Sequence, residues 1–183
     1  MRPLLRFDGV ACRRGGRLLF EDLDLALGPG EALQVTGPNG SGKSSLLRLA
    51  AGLLRPDRGR IERTRLAIAD DTLALDRELP LTKALRFWAG NVDAAMDALG
   101  LSPLGDVPVR LLSAGQAKRA TLARVAASGA SLWLLDEPAN ALDSDSVDRL
   151  AATIDRHRST GGAILAASHT PLPGEWRQLE LGA

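Results

Sequence analysis

Gly37-Pro38-Asn39-Gly40-Ser41-Gly42-Lys43-Ser44 lies between the apolar run Ala32-Leu33-Gln34-Val35-Thr36 and Ser45-Leu46-Leu47-Arg48-Leu49-Ala50, whose apolar residues recur at helical spacing. A strand, a glycine-rich loop and a helix start follow one another, the order a phosphate cradle requires. Gly37, Gly40 and Gly42 let the backbone curl so that successive N–H groups point inward, and the N-terminus of the following helix favours negative charge at the same place. Lys43 is placed to neutralise β- and γ-phosphates, with Pro38, Asn39, Ser41 and Ser45 completing the wall. The Ser44 hydroxyl is a ligand for Mg²⁺. Nucleotide binding is therefore the first expectation.

Composition narrows the rest. A chain of 183 residues with 45% apolar content suits one domain with a real core. Its 23 basic and 22 acidic residues leave a net charge of +1, which argues against a nucleic-acid footprint. No apolar run approaches the roughly 20 residues of a membrane span, and Met1-Arg2-Pro3-Leu4-Leu5-Arg6 has no long apolar signal region. Cys12 is the only cysteine, so an internal disulfide is impossible and a reducing compartment is expected.

Three zones follow along the chain. Up to about residue 70, Leu4 to Val10 and Arg17 to Leu27 read as strands, Gly28-Pro29-Gly30 as a turn, Arg55 to Gly59 as a break, and Leu66 to Ala69 as a further strand. From about 71 to 130 the pattern turns helical, in Leu79 to Trp88 and Ala94 to Leu99, with Gly100 as a stop. This reads as an inserted helical subdomain. From 131 to 183 the core returns: a strand at Ser131 to Asp136, a helix near Ser144 to Arg158, a strand at Ala163 to Ala167. Alternation of strand and helix implies an α/β fold with a mostly parallel sheet and functional groups at the strands' carboxyl ends.

Leu112-Ser113-Ala114-Gly115-Gln116 opens the amphipathic stretch Ala117 to Ala127, with Ser113 as a natural N-cap and Gly115 allowing close backbone approach. Standing 23 positions before Asp136 in a chain with a phosphate loop, it resembles the signature of the nucleotide-binding subunits of ABC transporters, usually Leu-Ser-Gly-Gly-Gln. Ala114 replaces one glycine. The resemblance implies a P-loop ATPase fold with an N-terminal antiparallel β region. It also implies a homodimer in which Ser113, Gly115 and Gln116 face the ATP of the opposite subunit.

Asp136 and Glu137 follow their apolar strand directly. A carboxylate at Asp136 suits a water-linked contact to Mg²⁺, and one at Glu137 suits orienting or deprotonating water at the γ-phosphate. By resemblance, Asn140-Ala141-Leu142-Asp143 is the loop that joins the two sites across the dimer, and His169 is the switch histidine expected at the γ-phosphate. ATP with Mg²⁺ is the implied ligand set.

The segment Ala11 to Phe20 and the Leu-Ser-Ala-Gly-Gln form look like the ATP-binding subunit of the bacterial haem exporter of cytochrome c maturation. That resemblance implies integral membrane permease partners, a haem chaperone reached through the complex, and a peripheral place on the cytoplasmic face of the inner membrane. Two departures stand out. The chain has no tyrosine, and Arg13 or Arg14 takes the place where an aromatic residue usually stacks on adenine, by guanidinium stacking or merely solvated. Asp70-Asp71-Thr72 stands where a glutamine usually senses the metal. Leu79, Leu81, Leu85, Phe87 and Trp88 are candidates both for packing and for docking a membrane partner. His157, among charged residues, is expected on a solvent-facing helix, and with no Cys-x-x-Cys-His nothing marks a haem site in the chain itself. A small-molecule kinase, a non-hydrolysing nucleotide module and a soluble ABC ATPase of repair or translation remain the rival classes.

Overall fold

A computed structural model describes residues 2–70, 72–88 and 92–182. Its centre is a sheet of five strands in the order β5(Leu66–Ala69), β6(Leu132–Asp136), β7(Ala163–Ala167), β3(Ala32–Thr36), β8(Arg177–Glu180), every neighbouring pair parallel. Strands in a parallel sheet are covered on both faces and so read as continuous apolar runs. β6 shows how: Leu132 and Leu134 join one apolar cluster, Trp133 and Leu135 the other. On β7, Leu165 faces the first cluster and Ile164 the second, one sheet face each.

The first cluster is closed by α1(Lys43–Ala51), through Leu46, Leu47 and Leu49, and by a separate antiparallel sheet ordered β2(Arg17–Leu27), β1(Leu5–Arg14), β4(Arg58–Arg63). The second is closed by α3(Val92–Ala98), α4(Ala114–Ala127) and α5(Ser144–Ser159) together with α2(Leu81–Arg86). The helical zone thus shares its apolar cluster with one face of the central sheet. Ala120 to Val125 of α4 are all buried, so this helix is enclosed on every side over that stretch.

Most elements fall where the sequence places them, and three departures have physical causes. The helix expected over Leu79 to Trp88 contracts to Leu81–Arg86, because Leu79 O accepts from Val109 N and Pro80 bridges Pro108, which draws the first two residues into strand-like pairing. The edge strand β8 was not anticipated. Its Arg-Gln-Leu-Glu run is mostly exposed and carries no alternating pattern to read. His157 is half-buried rather than solvated: its ring stacks on Trp133, with centroids 3.8 Å apart and planes 9° from parallel. Burial lowers its pKa below the ordinary imidazole value, opposed by backbone groups of Ala163 and Ser131. Flanking charges on a helix say nothing about the residue between them when that residue points inward.

Candidate functional site

Everything that carries chemistry stands at the carboxyl end of the central sheet. The phosphate loop follows β3, Asp136 ends β6 with Glu137 directly after it, and His169 follows β7. At Gly37, φ is +134°, and a Cβ there would meet the Ser41 hydroxyl at 2.9 Å as well as the Leu181 carbonyl. At Gly42, φ is +109°, and a Cβ would press on Leu19 and Phe20 of β2 at 3.2–3.3 Å. Neither position tolerates a side chain. β2 therefore buttresses the loop from outside while the loop's inner surface stays bare backbone.

Lys43 is buried at the start of α1, and its Nζ donates to the Gly37 and Pro38 carbonyls at 2.7 and 3.1 Å. This holds the ammonium over the concave side of the loop. The Ser41 hydroxyl is buried with no hydrogen-bond partner among the described residues. An orphaned hydroxyl inside a ring of backbone N–H groups, next to a buried lysine, is the donor set of an anion site. Triphosphate fits these residues. An open cleft of about 330 Å³ extends from the loop, lined by Asn39, Gly40, Gly42, Lys43, Ser44, Ser45, Arg14, Leu19 and Glu137.

Glu137 adopts a left-handed backbone, φ +44°, held by its N–H donating to Ala167 O at 2.8 Å. A non-glycine residue in that region is strained by roughly 1–2 kcal/mol. The strain turns the carboxylate off the strand into the cleft, where Oε2 lies 2.9 Å from His169 Nδ1. A carboxylate only accepts, so Nδ1 carries the proton. Behind this pair stands Gln34, 1% exposed in the middle of β3. Its Nε2 donates to Thr170 O at 2.7 Å, and its Oε1 accepts from Leu172 N and from Gln178 Nε2, both at 3.3 Å. Gln34 thereby ties down the loop that carries His169. The sequence reading passed over it, although a lone amide inside an apolar strand is a usable signal.

Ser44 lines the cleft beside Glu137, and Asp136 ends the same strand one residue earlier. The Asp136 carbonyl accepts from Lys118 Nζ of α4 at 2.9 Å. Among the described residues no group of three or more His, Cys, Asp or Glu is arranged to hold a metal. A hydroxyl and one carboxylate match Mg²⁺, which takes few protein oxygens and fills its shell with phosphate and water.

Ser113, Gly115, Gln116 and Asp143 are not among the residues that line this cleft. Ser113 caps α4 in a capping box, its Oγ accepting from Gln116 N at 3.3 Å while its own N–H donates to Gln116 Oε1 at 2.9 Å. Gly115 lies against the Ala141 carbonyl, which a Cβ would approach to 2.8 Å; Ala141 itself has φ +64°. Asp143 caps α5 by accepting from Ser146 N at 2.9 Å, and hydrogen bonding from Ser146 holds its pKa below the usual carboxylate value. Asp70 accepts from Thr72 N and borders a cleft shared with Ala114, Asn140 and Ala141. Asp71 lies outside the described residues. Of the two candidate arginines, Arg14 lines the cleft of the phosphate loop, whereas Arg13 lines a different one with Glu21, Asp22 and Asp57.

Elsewhere, a cleft of about 370 Å³ at the opposite end of β6 is lined by Trp133, His157 and a run of alanines, without any phosphate-loop residue. Leu81 and Leu85 are buried, whereas Phe87 is 81% and Trp88 47% exposed, their rings edge to face at 5.4 Å. No helix among the described residues is long and apolar enough to cross a membrane.

Known proteins share this arrangement. The family model described as ABC transporter matches residues 20–140. The cytochrome c biogenesis ATP-binding export protein CcmA of Sphingopyxis alaskensis is 58% identical over 180 residues, covering 94% of this chain and 93% of its own. The protein of the same name from Zymomonas mobilis is 55% identical over 170 residues, 89% of this chain and 77% of its own. A solved structure described as an ATP binding subunit of an ABC transporter superposes with a TM-score of 0.83 at 22% identity, over 91% of this chain and 79% of that one, a likeness of fold. With the phosphate loop, the acid pair and the signature helix in one chain, this protein belongs to the ABC transporter family as an ATP-hydrolysing subunit and groups there with the cytochrome c biogenesis ATP-binding export proteins.

Proposed function

We propose that this chain drives an export complex of c-type cytochrome biogenesis, with haem or a haem-carrying chaperone as the cargo. Two copies close around two ATP molecules, and integral membrane permease subunits hold the dimer at the cytoplasmic face of the bacterial inner membrane. The observation that carries the reading is the Glu137–His169 pair, 2.9 Å apart at the mouth of a cleft whose floor is Lys43 and Ser44.

In this reading the loop N–H groups, Lys43 and the Ser41 hydroxyl bind the β- and γ-phosphates. Ser44 and Asp136 hold Mg²⁺, which neutralises phosphate charge when bound. Glu137 orients the attacking water and accepts its proton. His169, its Nδ1 paired with the Glu137 carboxylate, faces the γ-phosphate position through Nε2 and fixes the carboxylate's direction. Ser113, Gly115 and Gln116, which do not line the chain's own cleft, serve the partner's nucleotide in this reading. Gly115 against Ala141 keeps the signature helix in register with the Asn140 to Asp143 loop.

The zone from about 71 to 130 acts as the subdomain that meets the permease. Phe87 and Trp88, with Leu73, Leu75 and Leu79 beside them, border a cleft of about 320 Å³ and offer the apolar contact. Two measurements test the proposal. A photocrosslinker at position 113 labels ATP held by the other subunit. Phe87→Ser with Trp88→Ser abolishes co-purification with a multi-span membrane protein while basal ATP hydrolysis persists. Labelling confined to the subunit's own nucleotide refutes the dimer, and unchanged co-purification refutes the docking surface.

A further inference from the structure

We propose that Arg124 is a positioning residue that ties the exposed Trp88 surface to the ATP site, so that nucleotide at the phosphate loop alters the surroundings of Trp88 and a contact at Trp88 bears on hydrolysis. The inference rests on the ATP-site reading above, not on which partner covers Trp88. Arg124 is 8% exposed and stands near the end of α4, the helix that Ser113 caps. Its guanidinium meets two other elements. Nη2 donates to Ile68 O of β5 at 2.6 Å, two residues before Asp70. Cζ lies 5.2 Å from the centre of the Trp88 ring, within the range of a cation–π contact. Nε is buried with no hydrogen-bond partner among the described residues.

A buried arginine is ordinarily paired with an acid. No carboxylate among the described residues makes an ion pair with Arg124; burial lowers its pKa from the ordinary guanidinium value, and Asp70 opposes that fall through space. An apolar side chain of similar length would fill the place with less desolvation. What the charge adds is a hold on Trp88, a ring that is 47% exposed. Both elements on the other side of that hold lead to the chemistry. β5 runs on to Asp70, and α4 carries Lys118, whose Nζ donates at 2.9 Å to the carbonyl of Asp136, the residue before Glu137. Coupling along such a connection acts equally in both directions.

Tryptophan emission of the chain tests this, with the non-hydrolysed analogue adenylyl imidodiphosphate and Mg²⁺ as the probe. The part of the probe-induced change that disappears in Trp88→Phe belongs to Trp88. The wild type is expected to show such a part. Arg124→Met should lose more than about half of it while binding the probe within about threefold of the wild type, and Arg124→Lys, which keeps a cation for the ring, should restore it. A full change in Arg124→Met overturns the proposal, and so does a loss of probe affinity that matches the loss of signal, which makes Arg124 merely structural. Trp88→Leu alters only the surface and gives a second measurement should Arg124→Met fail to fold. Amide exchange at the end of β5 and over Ala120 to Val125 should then quicken about threefold or more, and unchanged exchange overturns the proposal. Calorimetry of the wild type separates the two levels of inference: no binding of the probe refutes the ATP-site reading, whereas binding without a Trp88 change refutes the role of Arg124 alone.

Discussion

Replacing Gly162 by alanine is the sharpest probe of the part of the core that the sequence hid. Gly162 precedes β7, and its φ lies outside the left-handed region, so alanine meets no backbone strain there. The obstacle is steric: a Cβ would lie 2.5 Å from His157 Cδ2 and closer still to Nε2 and Cε1. The imidazole must retreat by about 1 Å, and a gap of that size forfeits a quarter to a half of a dispersion contact. It cannot retreat and also keep its 3.8 Å stack on Trp133. Overpacking costs about 1–3 kcal/mol and a lost aromatic pair about 0.5–1.5. The reduced freedom of the unfolded chain returns about 0.4–1. The net expectation is a loss of about 1–3 kcal/mol, which lowers Tm by roughly 3–10 °C for a domain of this size. Calorimetry of Gly162→Ala, His157→Ala and the double variant measures it. In the His157→Ala background the added methyl should be close to neutral. If Gly162→Ala melts within 1 °C of the wild type, or costs as much with His157 removed, the ring is not what position 162 accommodates.

The other expectations concern the site and its titration. Glu137→Gln should bind ATP with unaltered affinity and turn over roughly 10²- to 10⁴-fold more slowly, the worth of a positioned base; a rate within threefold of the wild type excludes that role. Gln34→Leu should leave ATP affinity intact, lower kcat about tenfold or more by freeing the His169 loop, and cost about 1–3 kcal/mol through the orphaned Leu172 N–H; an unchanged kcat limits Gln34 to packing. For His157 the folded-state pKa is depressed, so the unfolded chain takes up the proton first. Its contribution is complete above the unfolded value near 6.5 and is lost as pH falls from there through the lower folded value. Urea midpoints at pH 7.5 and pH 5 should therefore differ more for the wild type than for His157→Gln, and equal differences remove His157 as the titrating group.

How much of this was legible in the chain depends on whether local chemistry or tertiary contact decided the outcome. The phosphate loop, the β3, β6 and β7 strands and the Ser113 cap were readable because their rules are local: apolar runs for strands covered on both faces, glycines where φ is positive, a capping box four residues long. The true length of α2, the edge strand β8 and the burial of His157 were not, since each depends on a partner distant in sequence: Val109, β3 and Trp133. The Arg13 or Arg14 alternative was likewise beyond local reading. Both arginines sit on one strand, and only the hairpin's register against the phosphate loop separates them.

The two strained non-glycine residues nearest the chemistry mark where local rules gave way to the site. Glu137 at φ +44° and Ala141 at φ +64° stand four residues apart on the connection between β6 and α5. Each breaks a preference that Gly or Asn would satisfy. At Glu137 no such residue can serve, because the position needs a carboxylate of this reach to meet His169 across 2.9 Å. At Ala141 the strain turns the carbonyl toward Gly115, the one signature residue with no side chain to block it. Strain at one end thus aims the carboxylate that faces water, and at the other it seats the loop against the signature helix. A single short connection between a core strand and a helix capped by Asp143 therefore carries both the chemical group and the contact that joins it to the signature. Relief of strain at Ala141, by glycine, should cost coordination between hydrolysis and closure before it costs the fold.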